Sequence, residues 1–209
     1  MCPKNIIQFM AALVVAVVTP ATSQADGLRI PFVGSLQGSG QVTLPIIPPS
    51  DPNAIPLANP AYWSNPEYVS RCGGAPVLET EAAGNTSLLG LVQDYQVHCL
   101  GDPTVVNGEL VLPFFNGKFT FTDHKRRYIT GEYSGVLTPT LTSRPPPGPF
   151  GSPSGTWQVE GEVCVRAASP QLHIADDCAA NRFFPARGVT DPSAGTAAIY
   201  LNQTLGIRH

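Results

Sequence analysis

The clearest pattern along the chain is a strict alternation of side chains over residues 88–100. One face of this segment carries Val92, Asp94, Gln96 and His98, and the other carries mostly leucine, tyrosine, valine and cysteine. A period of two predicts a β-strand. Alternation alone does not say which face is inside, so His98 lies either on a solvent face or in a polar barrel interior.

A β-hairpin is the next pattern. Residues 118–122 run into the charged turn Asp123-His124-Lys125-Arg126, and residues 127–137 return with apolar side chains on one face. A charged turn of this kind is expected to be exposed. Further strands are predicted at 28–43, where a glycine-rich bend separates two short strands, and at 110–115, 156–166 and 197–201.

Two proline-rich segments interrupt the strands, near residues 45–66 and 138–155. Proline has no backbone donor for a sheet, so neither segment can form a central strand. Both are predicted to be long loops, the first of them partly in polyproline conformation.

These seven to nine strands predict an all-β fold, either an antiparallel β-barrel or, as the alternative, a β-sandwich. The composition agrees, because 22 prolines, 20 glycines and only 13% charged residues are typical of short extended segments joined by turns. Residues 26–209 are long enough for one β domain with its own core, and two full domains are not expected.

The first 25 residues have the pattern of an export signal. Lys4 precedes an apolar run of residues 6–18, and Ser23-Gln24-Ala25 supplies small residues for cleavage after Ala25. The apolar run is shorter than the roughly 20 residues needed to span a bilayer. The mature chain is therefore expected to start at Asp26 and to be exported to the periplasm, the cell surface or the medium.

Cysteine content supports an oxidising compartment. Once Cys2 leaves with the signal, an even number remains, which predicts two disulfides and permits three pairings. Pairing neighbours in sequence is favoured, which joins Cys72 to Cys99 and Cys164 to Cys178. Zinc is the competing interpretation, but the chain has no C-x-x-C or H-x-x-x-H spacing, so no metal and no cofactor are expected.

Charge excludes one class of partner. The chain has a formal net charge of −3, and loss of Lys4 makes the mature chain more negative. Nucleic acid is therefore not expected as a partner. No second apolar run approaches membrane length, so no integral membrane segment is predicted in the mature chain.

Three residues are candidates for catalysis. His98 lies in a predicted strand, and Glu160 and Glu162 are neighbours on one face of another. If that face lined a cleft, one carboxyl group could stay protonated and act as an acid while the other acted as a base. If it faces water, the two are ordinary surface charges. The alternative for His98 is a structural histidine whose imidazole is satisfied by nearby polar groups.

Short motifs resemble those of small exported bacterial β-barrel proteins, and through them the calycin and allene-oxide-cyclase-like barrels. They are Asn85-Thr-Ser-Leu-Leu-Gly, His98, Gly117-Lys-Phe-Thr-Phe-Thr and Gly131-Glu-Tyr-Ser-Gly. The resemblance covers about residues 84–137 and departs from the pattern at the turn that starts at Asp123. It implies a barrel with an internal cavity, and it assigns no catalytic residue.

Three functions are compatible with the sequence. The first is a disulfide-stabilised barrel that acts as a binding or surface-interaction protein, with a small apolar molecule as ligand. The second is a cofactor-free cyclase or isomerase, or a hydrolase, that uses His98 with Glu160 or Glu162 inside the barrel. The third is a structural envelope component whose proline-rich loops contact another envelope protein.

Overall fold

The fold was determined as a computed structural model, which describes residues 29–48, 55–145, 153–191, 194 and 196–208. The predicted signal peptide, residues 1–25, lies outside the described residues. Among the residues described, no helix combines the length and the apolar character needed to cross a bilayer.

Most of the described chain is β-strand, with two short helices and one 3-10 turn. The strands are β1 (Arg29–Thr43), β2 (Ile46–Ile47), β3 (Leu57–Ala58), β4 (Val77–Thr86), β5 (Gly90–Leu100), β6 (Thr104–Val106), β7 (Glu109–Asp123), β8 (Tyr128–Pro139), β9 (Trp157–Ala168), β10 (Phe184–Asp191) and β11 (Thr196–Gly206). The helices are α1 (Pro60–Trp63) and α2 (Pro66–Cys72), and the 3-10 turn is Pro170–Leu172.

Eight strands close into an antiparallel barrel. Their order is β5, β4, β1, β11, β10, β9, β8 and β7, and pairing of β7 with β5 completes the ring. Strand β6 pairs only with the first residues of β7. The predicted antiparallel β-barrel is therefore confirmed, and the sandwich alternative is wrong.

Strand β1 differs from its prediction. The glycine-rich bend expected inside residues 28–43 is wrong, because β1 runs unbroken and pairs with both β11 and β4. Its glycines serve close packing between strands. A Cβ on Gly38, for example, would lie 2.3 Å from the backbone oxygen of Glu81, so a side chain there would push β4 away.

In its described residues, the first proline-rich segment joins no strand of the barrel, as predicted. The prediction of a loop throughout is wrong, because β2 pairs with β3 and helix α1 lies within the segment, and helix α2 begins at its end. Asn59 and Asn65 each cap a helix with a side-chain oxygen that accepts from backbone N–H groups, and a proline follows at each helix start. Proline is well suited to that position, because the first N–H of a helix has no partner within the helix.

The two helices cover the outside of the barrel at β4 and β5. Tyr62 and Cys72 are buried there against Val77, Val97 and Cys99, and the Tyr62 hydroxyl donates to the backbone oxygen of Ala75 at 2.7 Å. This outer cluster explains why both faces of β5 carry buried residues.

Inside the barrel, the main core packs toward one end. It combines aromatic and aliphatic side chains from most of the strands with Ile174, which follows the 3-10 turn. The buried members are Phe32, Leu36, Leu89, Val92, Phe119, Phe121, Ile129, Val163, Val165, Ile174, Leu201 and Leu205. The other end of the barrel is left for a cavity.

Candidate functional site

A cavity of about 670 Å³ occupies the barrel at the end where β1 and β5 finish. Exposed residues on its border, Val42 and Asp102, mark where it meets solvent. Its wall is mostly apolar. The apolar lining includes Leu36, Val42, Leu78, Leu100, Leu112, Phe114, Phe119, Phe121, Leu137, Val159, Val163, Ile199 and Leu201.

A polar group formed by His98 and Tyr133 interrupts this apolar wall, which also carries Thr80, Ser134, Thr190 and Thr196. Nδ1 of His98 lies 2.7 Å from the hydroxyl of Tyr133, a hydrogen bond in which either partner donates, depending on the imidazole tautomer. Gln96, two residues before His98 on the same face of β5, also lines the cavity. The site therefore offers an imidazole, a phenol and an amide within a largely hydrocarbon space.

Tyr133 reaches His98 because the strand between them lacks a side chain at the crossing point. Tyr133 is on β8 and His98 on β5, and β7 runs between the two strands, with Gly117 directly opposite Tyr133. A Cβ on Gly117 would lie 2.7 Å from the Tyr133 ring. The glycine therefore allows the ring to lie across β7.

A bulge in β7 sets this crossing. The β7–β8 register shifts between Phe114 and Gly117, and Asn116 adopts a positive φ of 50°. From outside the barrel, the Asn116 side chain donates to the backbone oxygen of Arg71 on α2 at 2.9 Å. Helix α2 thus holds the bulge that brings Tyr133 to His98.

Phenylalanine rings enclose the pair. The Phe114 ring lies 5.2 Å from the His98 ring and 6.0 Å from the Tyr133 ring, measured between centroids. Phe119 packs on the other side of Tyr133, at 6.5 Å. These rings pack around both polar groups, and His98 is only 8% exposed.

Burial fixes the charge of the pair. It lowers the pKa of His98 to about 4, because the cationic imidazole loses its hydration. Burial also raises the pKa of Tyr133 well above 10, with the nearby Asp94 carboxylate adding to the rise. At neutral pH, His98 and Tyr133 are therefore both uncharged.

A buried carboxyl group lies behind this pair. Asp94 is 2% exposed, shares the inward face of β5 with Gln96 and His98, and accepts a hydrogen bond from the Gln96 side chain. Its other oxygen, Oδ1, has no hydrogen-bond partner among the described residues. Burial raises the pKa of Asp94 to about 7, although the Gln96 bond opposes the rise. Asp94 itself does not line the cavity.

The structure does not bring the three predicted catalytic residues together. His98 faces the cavity, but Glu160 and Glu162 have exposed side chains. They alternate along β9 with Val159, Gly161 and Val163, which line the cavity, so the two carboxylates belong to the outer face, although Glu162 also borders the cavity wall. The inward face of β5 that carries His98 also carries the buried carboxyl group of Asp94, four residues earlier in the strand.

Both predicted disulfides are confirmed. Cys72 on α2 is bonded to Cys99 on β5, and Cys164 on β9 is bonded to Cys178.

One group of side chains has the spacing of a metal site: the potential metal-binding atoms of Glu132, Cys164 and Cys178 lie within 4.8 Å of one another. Because both sulfur atoms are in a disulfide, neither is a thiolate, and this group does not suit a metal ion.

A second groove, of about 480 Å³, lies outside the barrel beside α2. Three of its four charged side chains, those of Glu67, Arg71 and Glu132, are in ion pairs. Arg71 pairs with Glu67 on α2, and Glu132 pairs with Arg166 of β9. The cavity within the barrel is therefore the stronger candidate for a binding site.

Sequence reasoning did not identify Tyr133 as part of the site. It lies on a face of β8 with Ile129 and Leu137, so alternation shows it as one more apolar position. A signal was present in Gly117, since a glycine within a strand often marks a close approach of another group. Asp94 and Gln96 were visible as a polar face but not as an interior one.

Comparison of the chain with protein-family models, with curated proteins and with solved structures gave no match in any of the three.

Proposed function

We propose that this protein binds a small, mainly apolar molecule inside its barrel. The observation that carries the proposal is the cavity of about 670 Å³ with its mostly apolar wall and the polar group at His98 and Tyr133. Pockets that hold small molecules commonly have volumes of 300–1,000 Å³ and combine an apolar lining with a few polar groups.

Burial of an apolar ligand supplies the affinity. Each square ångström of apolar surface removed from water contributes about 25 cal/mol, and the leucine, valine and phenylalanine side chains of the wall offer such contacts. Hydrogen bonding to His98, Tyr133 or Gln96 then orients the ligand. The resemblance to calycin-type barrels implies an internal cavity, which agrees with this function, and export of the mature chain would place the protein in an extracytoplasmic compartment.

A neutral fluorescent probe tests the proposal. N-phenyl-1-naphthylamine, whose emission rises in apolar surroundings, is titrated into the oxidised mature chain, residues 26–209. Saturable binding at one site per chain is expected. An absence of saturable binding would contradict the proposal.

Adjacent alanines on β11 provide a matched pair of variants for the same titration. Ala197 lines the cavity, whereas Ala198 alternates to the outer face. We expect Ala197→Phe to weaken probe binding at least tenfold and Ala198→Phe to change it less than twofold. Equal effects of the two substitutions would place the probe outside the barrel.

The second function considered from the sequence, catalysis that uses His98, remains a prediction. The feature that favours it is a neutral imidazole and a buried carboxyl group of raised pKa on the same inward face of β5, since perturbed pKa values are common at functional sites. Turnover of a candidate substrate that survives both His98→Gln and Asp94→Asn would exclude catalysis by His98.

The envelope-component hypothesis likewise stays a prediction, and cross-linking of the exported chain tests it.

A further inference from the structure

The charged residues of the cavity wall restrict the class of ligand beyond the requirement that it be apolar. None of the residues that line the cavity is a lysine or an arginine, and the charged residues on its border, Asp102 and Glu162, are both acidic. The internal segments that the structure does not describe contain no lysine or arginine either. They are residues 49–54, 146–152, 192–193 and 195.

Histidine does not replace the missing cation. His98 is enclosed by Phe114 and Tyr133, and its pKa of about 4 leaves the imidazole neutral at physiological pH. A carboxylate ligand would therefore meet hydrogen-bond donors but no positive charge, and Asp94 behind the polar group would repel it whenever Asp94 is ionised.

A carboxylate loses its hydration when it enters such a site, and the cost is large unless an opposite charge replaces the water. A hydroxyl or carbonyl group loses far less, and one hydrogen bond to His98, Tyr133 or Gln96 compensates for most of it. The polar group is thus matched to an uncharged partner.

We infer that the ligand is an uncharged apolar molecule with a hydroxyl or carbonyl group, and that the barrel discriminates against the carboxylate of the same chain length. This inference rests on the proposed binding function and adds the chemical class of the ligand. An aliphatic alcohol, aldehyde, ketone or ester fits the site, whereas a fatty-acid anion does not.

Competition between matched compounds tests the inference. Decanol, methyl decanoate, decanoate and decylamine share one hydrocarbon chain and differ in the charge of the head group. Each is used at pH 8 to displace N-phenyl-1-naphthylamine from the mature protein. We expect decanol and methyl decanoate to bind at least tenfold more tightly than decanoate and at least as tightly as decylamine.

The outcomes separate the two proposals. If decanoate competes as well as decanol, or if decylamine competes best, the inference on charge is wrong although the binding function stands. If neither the probe nor any of the four compounds binds, the binding function itself is wrong.

A charge-bearing variant gives a second, independent readout. Leu78 lines the cavity and lies directly opposite His98 in the β4–β5 register. Leu78→Arg should raise the affinity for decanoate at least tenfold relative to the uncharged control Leu78→Gln. A folded Leu78→Arg variant that binds the neutral probe but shows no such gain would overturn the inference. If Leu78→Arg does not fold, the comparison of compounds on the unmodified protein decides.

Discussion

Two buried ionisable side chains on the inward face of β5 have pKa values that burial shifts toward the neutral form. That of Asp94 rises to about 7 and that of His98 falls to about 4. Between pH 4 and 6.5, the folded protein therefore holds a proton on Asp94, whereas the unfolded chain holds one on His98. The two contributions to the pH dependence of stability oppose each other in this window.

Replacing Asp94 separates its contribution to the pH dependence of stability from that of His98. Because its pKa is raised by folding, the stability associated with Asp94 is present below pH 4 and is lost as the pH rises through 7. Asp94→Asn should therefore gain stability over the parent protein between pH 4 and 7, by at most about 4 kcal/mol. The stability of Asp94→Asn should itself decrease as the pH decreases below 6.5, because the opposing contribution of Asp94 to the pH dependence is absent and that of His98 remains.

Urea denaturation at half-unit steps from pH 4 to 8 measures this difference. Asp102→Asn, at an exposed position, is the control for loss of a carboxylate, and surface substitutions usually change stability by less than about 0.5 kcal/mol. A difference between Asp94→Asn and the parent that stays constant with pH would show that Asp94 titrates normally.

At the scale of single elements, the polar pair depends on the β7 bulge and on helix α2. Gly117 leaves room for the Tyr133 ring, and Asn116 ties the bulge to Arg71. Neither residue touches the cavity through a polar side chain, so both act by positioning Tyr133.

Gly117→Ala tests this positioning. The added methyl group would meet the Tyr133 ring at 2.7 Å, so the ring must move and its bond to His98 Nδ1 should be lost. Nitrogen-15 NMR of the imidazole reports the change, and Tyr133→Phe should reproduce the same shift because it removes the hydroxyl. Lys118→Ala, at the exposed neighbouring position, should leave the His98 signals in place. An unchanged His98 spectrum in Gly117→Ala would refute the role of the glycine.

The disulfide that attaches α2 to β5 adds a prediction on stability. Cys72 and Cys99 are 27 residues apart, and Cys164 and Cys178 are 14 apart. The chain-entropy treatment assigns about 3 kcal/mol to each, slightly more to the longer loop. Replacing Cys72 and Cys99 together by serine should lower the free energy of unfolding by that amount. It should also alter the His98 imidazole signals, since α2 holds the bulge. Replacing Cys164 and Cys178 should lower stability without changing those signals.

The strand pattern predicted the barrel because period-two alternation survives along β5, β7, β8 and β9. It did not predict which face of β5 is inside, because α1 and α2 bury Val97 and Cys99 on the outer face while Asp94 and His98 are buried on the inner one. When both faces of a strand are buried, the pattern of polar and apolar residues does not show which face points into the barrel.

The helices were missed for a different physical reason. The helices have 4 and 7 residues, which is too short for an apolar helical period to appear in the sequence. The signal for a helix start lies only in the dipeptides Asn59-Pro60 and Asn65-Pro66. Within the site, His98 was identified from sequence. Its contact with Tyr133 was not, because it spans an intervening strand and depends on a register shift that alternation does not encode.

The molecule as a whole divides its interior between a packed end and a cavity end. Side chains such as Phe32, Ile129 and Leu205 fill the first, whereas the second leaves apolar walls without packing partners. Folding stability therefore rests mainly on the packed end, the outer cluster at α2 and the two disulfides. The cavity end lacks the dispersion contacts that a filled core would supply.

A ligand that fills the cavity should supply those contacts and stabilise the entire barrel. A ligand that binds only the folded state adds RT ln(1 + [L]/Kd), about 2.7 kcal/mol at one hundred times Kd. Decanol at that ratio should raise the Tm of the oxidised protein, and Ala198→Phe should respond equally because its substitution is on the outer face. Ala197→Phe, with part of the cavity occupied by its own ring, should show at most a small rise at the same decanol concentration. Differential scanning fluorimetry measures all three proteins, and a rise in Ala197→Phe as large as in the parent would mean that decanol stabilises the barrel from outside the cavity.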